Sequence, residues 1–232
     1  MKRTAIKMGH RRCLRLSRRD LLGFGALAGL SACGESQLAR TVIDAYKLTV
    51  SGQPDAPISR ESVSNIPYAS VAAKIGKGPR SLLILWRQER RRLHWLSADN
   101  VAIVTLAGRV VATAGLPEEM RSTTGLGVDP LVSGLHKIER ASFSREVHFE
   151  RDGPVVSVLD SLFERVGERR IVIEDVEFET ILFYETTNDR VQNWQFVNSY
   201  WVDPFDGFVW KSRQHIARTF PPIEIEVLKP FA

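Results

Sequence analysis

Short runs in which apolar and polar residues alternate cover most of the chain after Tyr68. They are rich in β-branched and aromatic residues, which is typical of half-buried strands. The runs cover Ser81–Trp86, Leu93–Leu96, Val101–Leu106, Val110–Thr113, Ile138–Phe149, Val155–Arg165, Arg170–Ile173, Val176–Glu185, Val191–Val202, Phe208–Ile216 and Ile223–Val227. Turn residues separate most of them. The pattern therefore predicts an all-β domain of about ten antiparallel strands, arranged as a barrel-like or sandwich structure.

Three segments modify this picture. Residues 34–50 place apolar side chains at helical spacing, which predicts one short amphipathic helix before a Gly/Pro linker at residues 51–57. Leu116–Leu135 is rich in Gly and Pro and predicts a long irregular connection with one helical turn. Ile223–Val227 alternates as a half-buried edge strand does.

The N-terminal segment predicts export and acylation. Arg18 and Arg19 precede the apolar run Leu21–Ala32, which is too short to span a bilayer as a helix and fits a signal peptide. The pattern favours a twin-arginine signal, with an ordinary secretory signal as the alternative. Leu-Ser-Ala-Cys at residues 30–33 is a lipobox pattern, which makes Cys33 the expected lipid attachment site. The predicted parts are a signal peptide at 1–32, an anchored helix and linker at 33–57, and one β-rich domain at 58–232.

Processing changes the charge of the protein. The whole chain carries +5, but residues 1–32 carry eight Lys or Arg and one Asp, so residues 33–232 carry −2. A near-neutral domain lacks the basic footprint of a nucleic-acid-binding protein, so no nucleic-acid partner is expected. Cys13 lies in the signal and Cys33 is the expected acylation site, which leaves no intramolecular disulfide.

The stretch Asn198–Gln214 has the densest functional chemistry. Asp203–Gly207 predicts a hairpin turn, because Pro presets φ and Gly accepts a positive φ. The flanking aromatic, amide and ammonium groups suit contact with a polysaccharide or a partner protein. The candidate contact residues are Asn198, Tyr200, Trp201, Lys211, Ser212 and Gln214. The alternative is that they only hold the hairpin and its neighbours together.

Several separated motifs occur in a characteristic order. They are Ile66–Ser70, Trp95 with Ser97–Asp99, Gly108–Val110 with Thr113–Leu116, Asp129–Leu131, the Asn198–Gln214 stretch and Leu228–Pro230. Together they resemble the YjbF family, the group 4 capsule polysaccharide lipoproteins. The resemblance implies an outer-membrane lipoprotein needed for making or exporting extracellular polysaccharide. It implies a β-rich domain whose partner is an outer-membrane polysaccharide-export β-barrel. It supplies no catalytic residues to carry over.

Other charged groups are weaker candidates. The arginines of one predicted hairpin tip could meet an acidic polysaccharide or lipid phosphates, or could simply be solvated: Arg87, Arg90, Arg91 and Arg92. Glu174, Asp175, Glu177 and Glu179 could supply paired carboxylates for glycoside or lyase chemistry, but they read better as a solvated turn. The histidines lack ligand spacing, so neither a metal nor another cofactor is expected.

The lipobox and the family resemblance together predict a lipid-anchored, non-enzymatic accessory factor in exopolysaccharide or capsule production or export. Gly34 after Cys33 favours the outer membrane, with the domain facing the periplasm. The rival is a polysaccharide-modifying hydrolase or lyase, which needs convergent carboxylates in a cleft. A third hypothesis is a β-barrel carrier of an apolar ligand, which needs a large apolar cavity.

Overall fold

Strands make up nearly all of the regular structure. The computed structural model describes residues 58–150 and 153–231. The strands in these residues are β1 (Ser70–Ile75), β2 (Arg80–Glu89), β3 (Arg92–Ser97), β4 (Ala102–Leu106), β5 (Arg109–Ala114), β6 (Glu119–Thr124), β7 (Arg140–Glu150), β8 (Pro154–Ile173), β9 (Val176–Asp189), β10 (Trp194–Val202), β11 (Val209–Gln214) and β12 (Ile223–Lys229). The helices are the short α1 (Arg60–Ser64) and α2 (Pro130–Ser133), with 3₁₀ turns at Leu126–Val128 and Leu135–Lys137. The predicted all-β class is confirmed.

All twelve strands belong to one antiparallel sheet. Its order is β5-β4-β3-β2-β1-β12-β11-β10-β9-β8-β7-β6, so the first and last strands of the chain are neighbours in the middle. The two end strands, β5 and β6, approach each other without a backbone ladder. The Met120 N–H donates to Thr113 Oγ1 at 3.0 Å, and Thr123 Oγ1 donates to the Val111 carbonyl at 3.0 Å. The sheet is therefore barrel-like, as predicted, and closes through side chains.

Two hydrophobic clusters lie inside this sheet. Cluster 1 includes Val71, Leu83, Trp95, Ile103, Val147, Leu159, Phe196 and Ile223. Cluster 2 includes Leu126, Leu135, Phe143, Phe163, Phe183, Tyr200 and Val202. On β7, Phe143 belongs to cluster 2 and Val147 to cluster 1, and buried Arg145 lies between them on the same face of the strand. A polar layer thus separates the two clusters.

Three predicted elements are wrong in detail. β12 is not an edge strand, because it pairs with β1 on one side and β11 on the other. The connection Leu116–Leu135 is not irregular throughout, because it contains β6. The runs Val155–Arg165 and Arg170–Ile173 form one strand, β8, whose register shifts at Gly167. A bulge at a glycine with φ of +138° keeps the strand continuous where the apolar pattern breaks.

The predictions for the N-terminal segment fall outside the described residues. These predictions are the signal at 1–32 with Arg18 and Arg19, acylation of Cys33, and the helix and linker at 33–57. Among the residues that the structure describes, no helix combines the length and hydrophobicity needed to cross a bilayer.

Candidate functional site

Strands β10 and β11 form a hairpin that is connected by a loop at residues 203–208. Hydrogen bonds within this loop fix its backbone conformation. The Asp203 N–H donates to the Phe208 carbonyl at 2.7 Å, and the Gly207 N–H donates to the Asp203 carbonyl at 3.1 Å. Asp203 Oδ1 accepts from the Phe205 N–H at 2.9 Å, and its Oδ2 accepts from Trp210 Nε1 at 3.1 Å. The predicted turn residues therefore build a loop of defined shape.

The structure places the six predicted contact residues on two faces of this hairpin. Trp201 and Lys211 are cross-strand partners on the outer face and keep partial exposure. The other four are at most 2% exposed and face the interior: Asn198, Tyr200, Ser212 and Gln214. Direct contact with a polymer or partner stays a prediction for Trp201 and Lys211. Direct contact through the four interior residues would require the polar layer between the two hydrophobic clusters to open.

Glu185 on β9 is the centre of that polar layer. Its side chain is fully buried. Arg145 Nη1 donates to Oε1 at 2.6 Å, and Arg109 Nη1 lies 3.0 and 3.1 Å from the two carboxylate oxygens. Asn198 Nδ2 and the Tyr200 hydroxyl both donate to Oε2 at 2.9 Å. This carboxylate therefore accepts hydrogen bonds from two cations and two of the predicted contact residues.

Arg109 joins the polar layer to the segment that follows β6. Its Nε and Nη2 donate to the two oxygens of Asp129, with the Nη2 bond at 3.1 Å. Asp129 Oδ1 also accepts from the Leu131 N–H at 3.0 Å and so caps α2. Arg109 thus holds two carboxylates at once, and the layer contains two buried cations and two buried anions.

Gln214 ties the β4–β5 turn to β11. Its Nε2 donates to the Gly108 carbonyl at 2.8 Å and to Ser212 Oγ at 2.9 Å, and its Oε1 accepts from the Val110 N–H at 2.9 Å. Gly108 has a φ of +84°, and a Cβ there would lie 2.5 Å from Val209 Cβ. Close approach of the turn to β11 therefore requires glycine at this position.

The charge balance fixes the ionisation states of the layer. Burial acts to raise the pKa of Glu185, but Arg109 and Arg145 outweigh it and lower that pKa well below the ordinary value of 4.5. Burial acts to lower the pKa of Arg109, and Glu185 outweighs it, so the pKa is raised. Burial, opposed by Arg109, raises the pKa of Tyr200 well above 10.0. At neutral pH the acid is therefore ionised and the phenol is protonated.

An ionic ladder crosses the outer face of the sheet beside the hairpin. Lys211 Nζ lies 2.9 Å from Glu224 and 2.8 Å from Glu226. Glu226 also pairs with Arg80 at 2.7 Å. The Lys211 ammonium stands 5.5 Å from the centroid of the Trp201 ring. The charge of Lys211 is thus already neutralised within the sheet, and Trp201 is the aromatic surface that remains beside it.

A cavity of about 500 Å³ opens beside the loop at residues 203–208. Its base is apolar and consists of side chains from cluster 1: Val71, Leu93, Trp95 and Ile225. Its mouth lies between the β2–β3 turn and the segment around α2. The polar and charged residues there are Gln88, Arg90, Arg91, Ser133, His136, Lys137 and Asp206. This volume lies within the usual range for small-molecule sites.

Most of the remaining charged candidates are exposed, but the Glu174 side chain in the β8–β9 turn is only 16% exposed and pairs with Arg80 at 2.8 Å. Arg90 and Arg91 line the cavity, whereas Arg87 pairs with Glu89 at 3.5 Å. Glu177 and Glu179 both pair with Arg170, at 3.3 and 2.6 Å. Four histidines lie in the described residues: His94, His136, His148 and His215. Within residues 58–150 and 153–231, no three His, Cys, Asp or Glu side chains are placed to hold a metal ion.

Sequence reasoning missed Arg145, Glu185 and the pairing of Arg109 with Asp129. A signal was present in the alternation, because Phe143, Arg145 and Val147 share one face of a strand that is otherwise apolar. A charge at such an inward position indicates a buried partner. The partner lies on another strand, 40 residues along the chain. Identifying it requires the strand order.

Comparisons with known proteins agree with the fold. The family model described as "Group 4 capsule polysaccharide lipoprotein gfcB, YjbF" matches residues 43–228. The Escherichia coli K12 protein named uncharacterized lipoprotein GfcB is 26% identical over 87% of this chain and 94% of its own. The Escherichia coli K12 lipoprotein YjbF is 24% identical over 77% of this chain and 83% of its own. The crystal structure of the hypothetical lipoprotein YmcC from Escherichia coli K12 is 24% identical, with a TM-score of 0.70 over 85% of this chain and 98% of its own.

Proposed function

Because the chain belongs to the YjbF family of group 4 capsule polysaccharide lipoproteins, we propose that it is a non-enzymatic accessory factor in producing or exporting extracellular polysaccharide. Acyl chains on Cys33 tether it to the outer membrane, and the β-domain faces the periplasm. One acyl chain binds a membrane only reversibly, so the two or three chains of a bacterial lipoprotein make the attachment stable. The domain acts by docking a protein of the export machinery, for which an outer-membrane barrel is the expected partner.

The solvent exposure of Phe205 is the observation that supports the docking proposal. Phe205 is 90% exposed, more than any other large hydrophobic side chain in the described residues. The loop at residues 203–208 holds its backbone through Asp203, so the ring is presented on a preorganised support. Rigid aromatic anchors dominate the energy of many protein interfaces, and preorganisation lowers the entropic cost of binding. An exposed phenylalanine held in this way suits insertion into a pocket of a partner.

The polar layer supports a scaffolding role over a catalytic one. Glycoside hydrolysis needs one carboxyl group that can donate a proton. Glu185 instead has a lowered pKa and no solvent exposure, and Asp129 is fully buried against Arg109. Both carboxylates are occupied by arginine side chains from other strands. This arrangement favours a role in fixing the positions of β5, β7 and β9.

The test is complementation of a deletion strain with Phe205→Ala. Removing a central aromatic anchor commonly costs 2 kcal/mol or more, which is roughly a thirtyfold loss of affinity. We therefore expect surface polysaccharide to fall towards the level of the deletion strain, with an unchanged amount of lipoprotein in the envelope.

The matched control is Val191→Ala. Val191 is 63% exposed and lies in the turn before β10, whereas Phe205 lies in the loop after it. The nine residues of β10 separate the two sites by about 30 Å at 3.3 Å per residue. Wild-type polysaccharide in the Phe205→Ala strain, or an equal loss in both strains, would count against docking through this loop.

A further inference from the structure

We infer that the cavity beside α2 binds an anionic amphiphile, with an acyl chain against the apolar base and an acidic headgroup at the mouth. This inference is independent of docking through Phe205, which does not line the cavity. The ligand class follows from three features: the apolar composition of the base, the hydrogen bonds already made by the Thr105 and Ser212 hydroxyl groups, and the charge of the mouth.

The base offers apolar surface from several strands at once. Val71 from β1, Leu93 and Trp95 from β3, and Ile225 from β12 meet there. Each is at most 9% exposed and belongs to cluster 1. Val209 from β11 and Val132 from α2 continue the apolar lining towards the mouth. An acyl chain placed against these side chains is removed from water, which stabilises the complex by about 0.8 kcal/mol per buried CH₂.

Two hydroxyl groups of the cavity wall, those of Thr105 and Ser212, already have protein partners. Thr105 Oγ1 accepts from Trp95 Nε1 at 2.8 Å, and Ser212 Oγ accepts from Gln214 Nε2 at 2.9 Å. A sugar ring placed at the base would leave most of its hydroxyl groups without partners, which is costly. An alkyl chain has no such requirement. The interior of the cavity therefore favours a chain over a saccharide.

The mouth attracts negative charge. Arg90, Arg91 and Lys137 surround it, with Asp206 as the single acid among the lining residues. Arg91 Nη2 donates to the Val132 carbonyl at 3.5 Å, so its guanidinium keeps further donors for a ligand. In the described part of the chain, none of these three cations is paired with a carboxylate, whereas Arg80, Lys211 and Arg170 all are. Unpaired cations around an apolar cavity complement an acid on the end of an acyl chain.

The binding test uses the chain from residue 33 onward with Cys33→Ser, which keeps every described residue and carries no acyl group of its own. The probe is a terminally brominated medium-chain fatty acid, kept below its critical micelle concentration. Bromine quenches tryptophan fluorescence at short range, so an inserted chain quenches Trp95. We expect saturable quenching, confirmed by calorimetry, and loss of most of the quenching in Trp95→Phe.

Two variants test the two halves of the site. Arg90→Glu with Arg91→Glu reverses the charge of the mouth, and we expect binding about tenfold weaker or worse. Arg140→Glu with Arg190→Glu is its control, because it makes the same change of net charge at exposed arginines outside the cavity. Val132→Trp places an indole in the cavity and is expected to prevent saturable quenching.

Competitors identify the source of the ligand. Lysophosphatidylglycerol has the headgroup of an envelope phospholipid, and dodecyl glucuronide has that of an acidic lipid-linked saccharide. Displacement of the probe by either supports the inference, and the stronger competitor indicates the source. The inference is overturned if the probe does not bind, if neither competitor displaces it, if dodecyl maltoside competes equally well, or if the charge-reversed mouth binds as tightly as its control.

Discussion

The replacement Glu185→Gln tests whether charge balance in the polar layer stabilises the domain. The amide keeps the size of the side chain and removes one negative charge. Arg109 would then keep Asp129 as a carboxylate partner, whereas Arg145 would lose Glu185, the carboxylate with which it pairs in the described residues. Removing one member of a buried ion pair costs about 3–5 kcal/mol, because the remaining charge is left uncompensated out of water. Since domains are stable by about 5–15 kcal/mol in total, this loss is a large fraction of the whole.

The assay is urea unfolding of the chain from residue 33 onward with Cys33→Ser, followed by circular dichroism. We expect a lower transition midpoint with an unchanged slope, which indicates a loss of stability without a change in the surface exposed on unfolding. The matched control is Glu179→Gln on the same strand. Glu179 pairs with Arg170, but its side chain is 65% exposed, so its replacement should cost at most about 1 kcal/mol.

A double variant separates charge balance from lost packing. Arg145→Gln combined with Glu185→Gln removes one buried cation and one buried anion together. The layer is then neutral again, so we expect the double variant to be less destabilised than the sum of the single variants. A cost below 1 kcal/mol for Glu185→Gln, or strict additivity in the double variant, would refute the charge-balance argument.

Three further outcomes follow from the structure. Gly207→Ala should destabilise the domain by about 1–3 kcal/mol in urea unfolding, because φ is +80° and a Cβ would clash with His136 Nδ1. In the control Gly127→Ala the added Cβ meets no atom within 4 Å, so this variant should be nearly neutral. Because the pKa of Glu185 is lowered in the folded state, this carboxylate contributes its full stabilisation at pH values above its ordinary pKa of 4.5. The free energy of unfolding should therefore fall as the pH drops below that value. An acid titration that leaves it constant down to pH about 2 would contradict this expectation. Cys33→Ser should abolish acylation and release the protein from the membrane fraction. Mass spectrometry of the N-terminal peptide and cell fractionation measure these two effects. Retention of the variant in the membrane fraction would argue against the anchor.

The alternating runs predicted the fold class well because an inward-facing apolar residue at every second position is a local signal. The predictions failed where the signal depends on neighbouring strands. Glu224 and Glu226 in β12 resemble the exposed face of an edge strand, yet they pair with Lys211 of β11 and Arg80 of β2. The strand order, which local alternation does not encode, decides that β12 lies in the middle of the sheet.

The candidate hairpin shows the same limit. Its turn at Asp203–Gly207 was predicted from local turn chemistry, and the structure forms it. The density of polar groups around it predicts a contact surface, which stays a prediction, and in the structure Asn198 and Tyr200 donate to Glu185 on the adjacent strand. Composition identifies an unusual hairpin. It does not tell whether the polar atoms bond to a partner or to a buried carboxylate.

The seam between β5 and β6 bears on how the protein would behave if it were crowded on a membrane, as the proposed anchor implies. An exposed strand edge presents free backbone groups that can pair with another chain, and tethering on one surface raises the local concentration of identical copies. Here the two end strands of the sheet face each other. Across the gap, Thr113 Oγ1 accepts a hydrogen bond from the Met120 N–H, and Thr123 Oγ1 donates one to the Val111 carbonyl. Along this seam each edge faces the other edge of the same sheet, which hinders a neighbouring molecule from pairing with either one. Closing the sheet with threonine hydroxyl groups would therefore protect the protein, if it is anchored as proposed, against self-association through strand pairing.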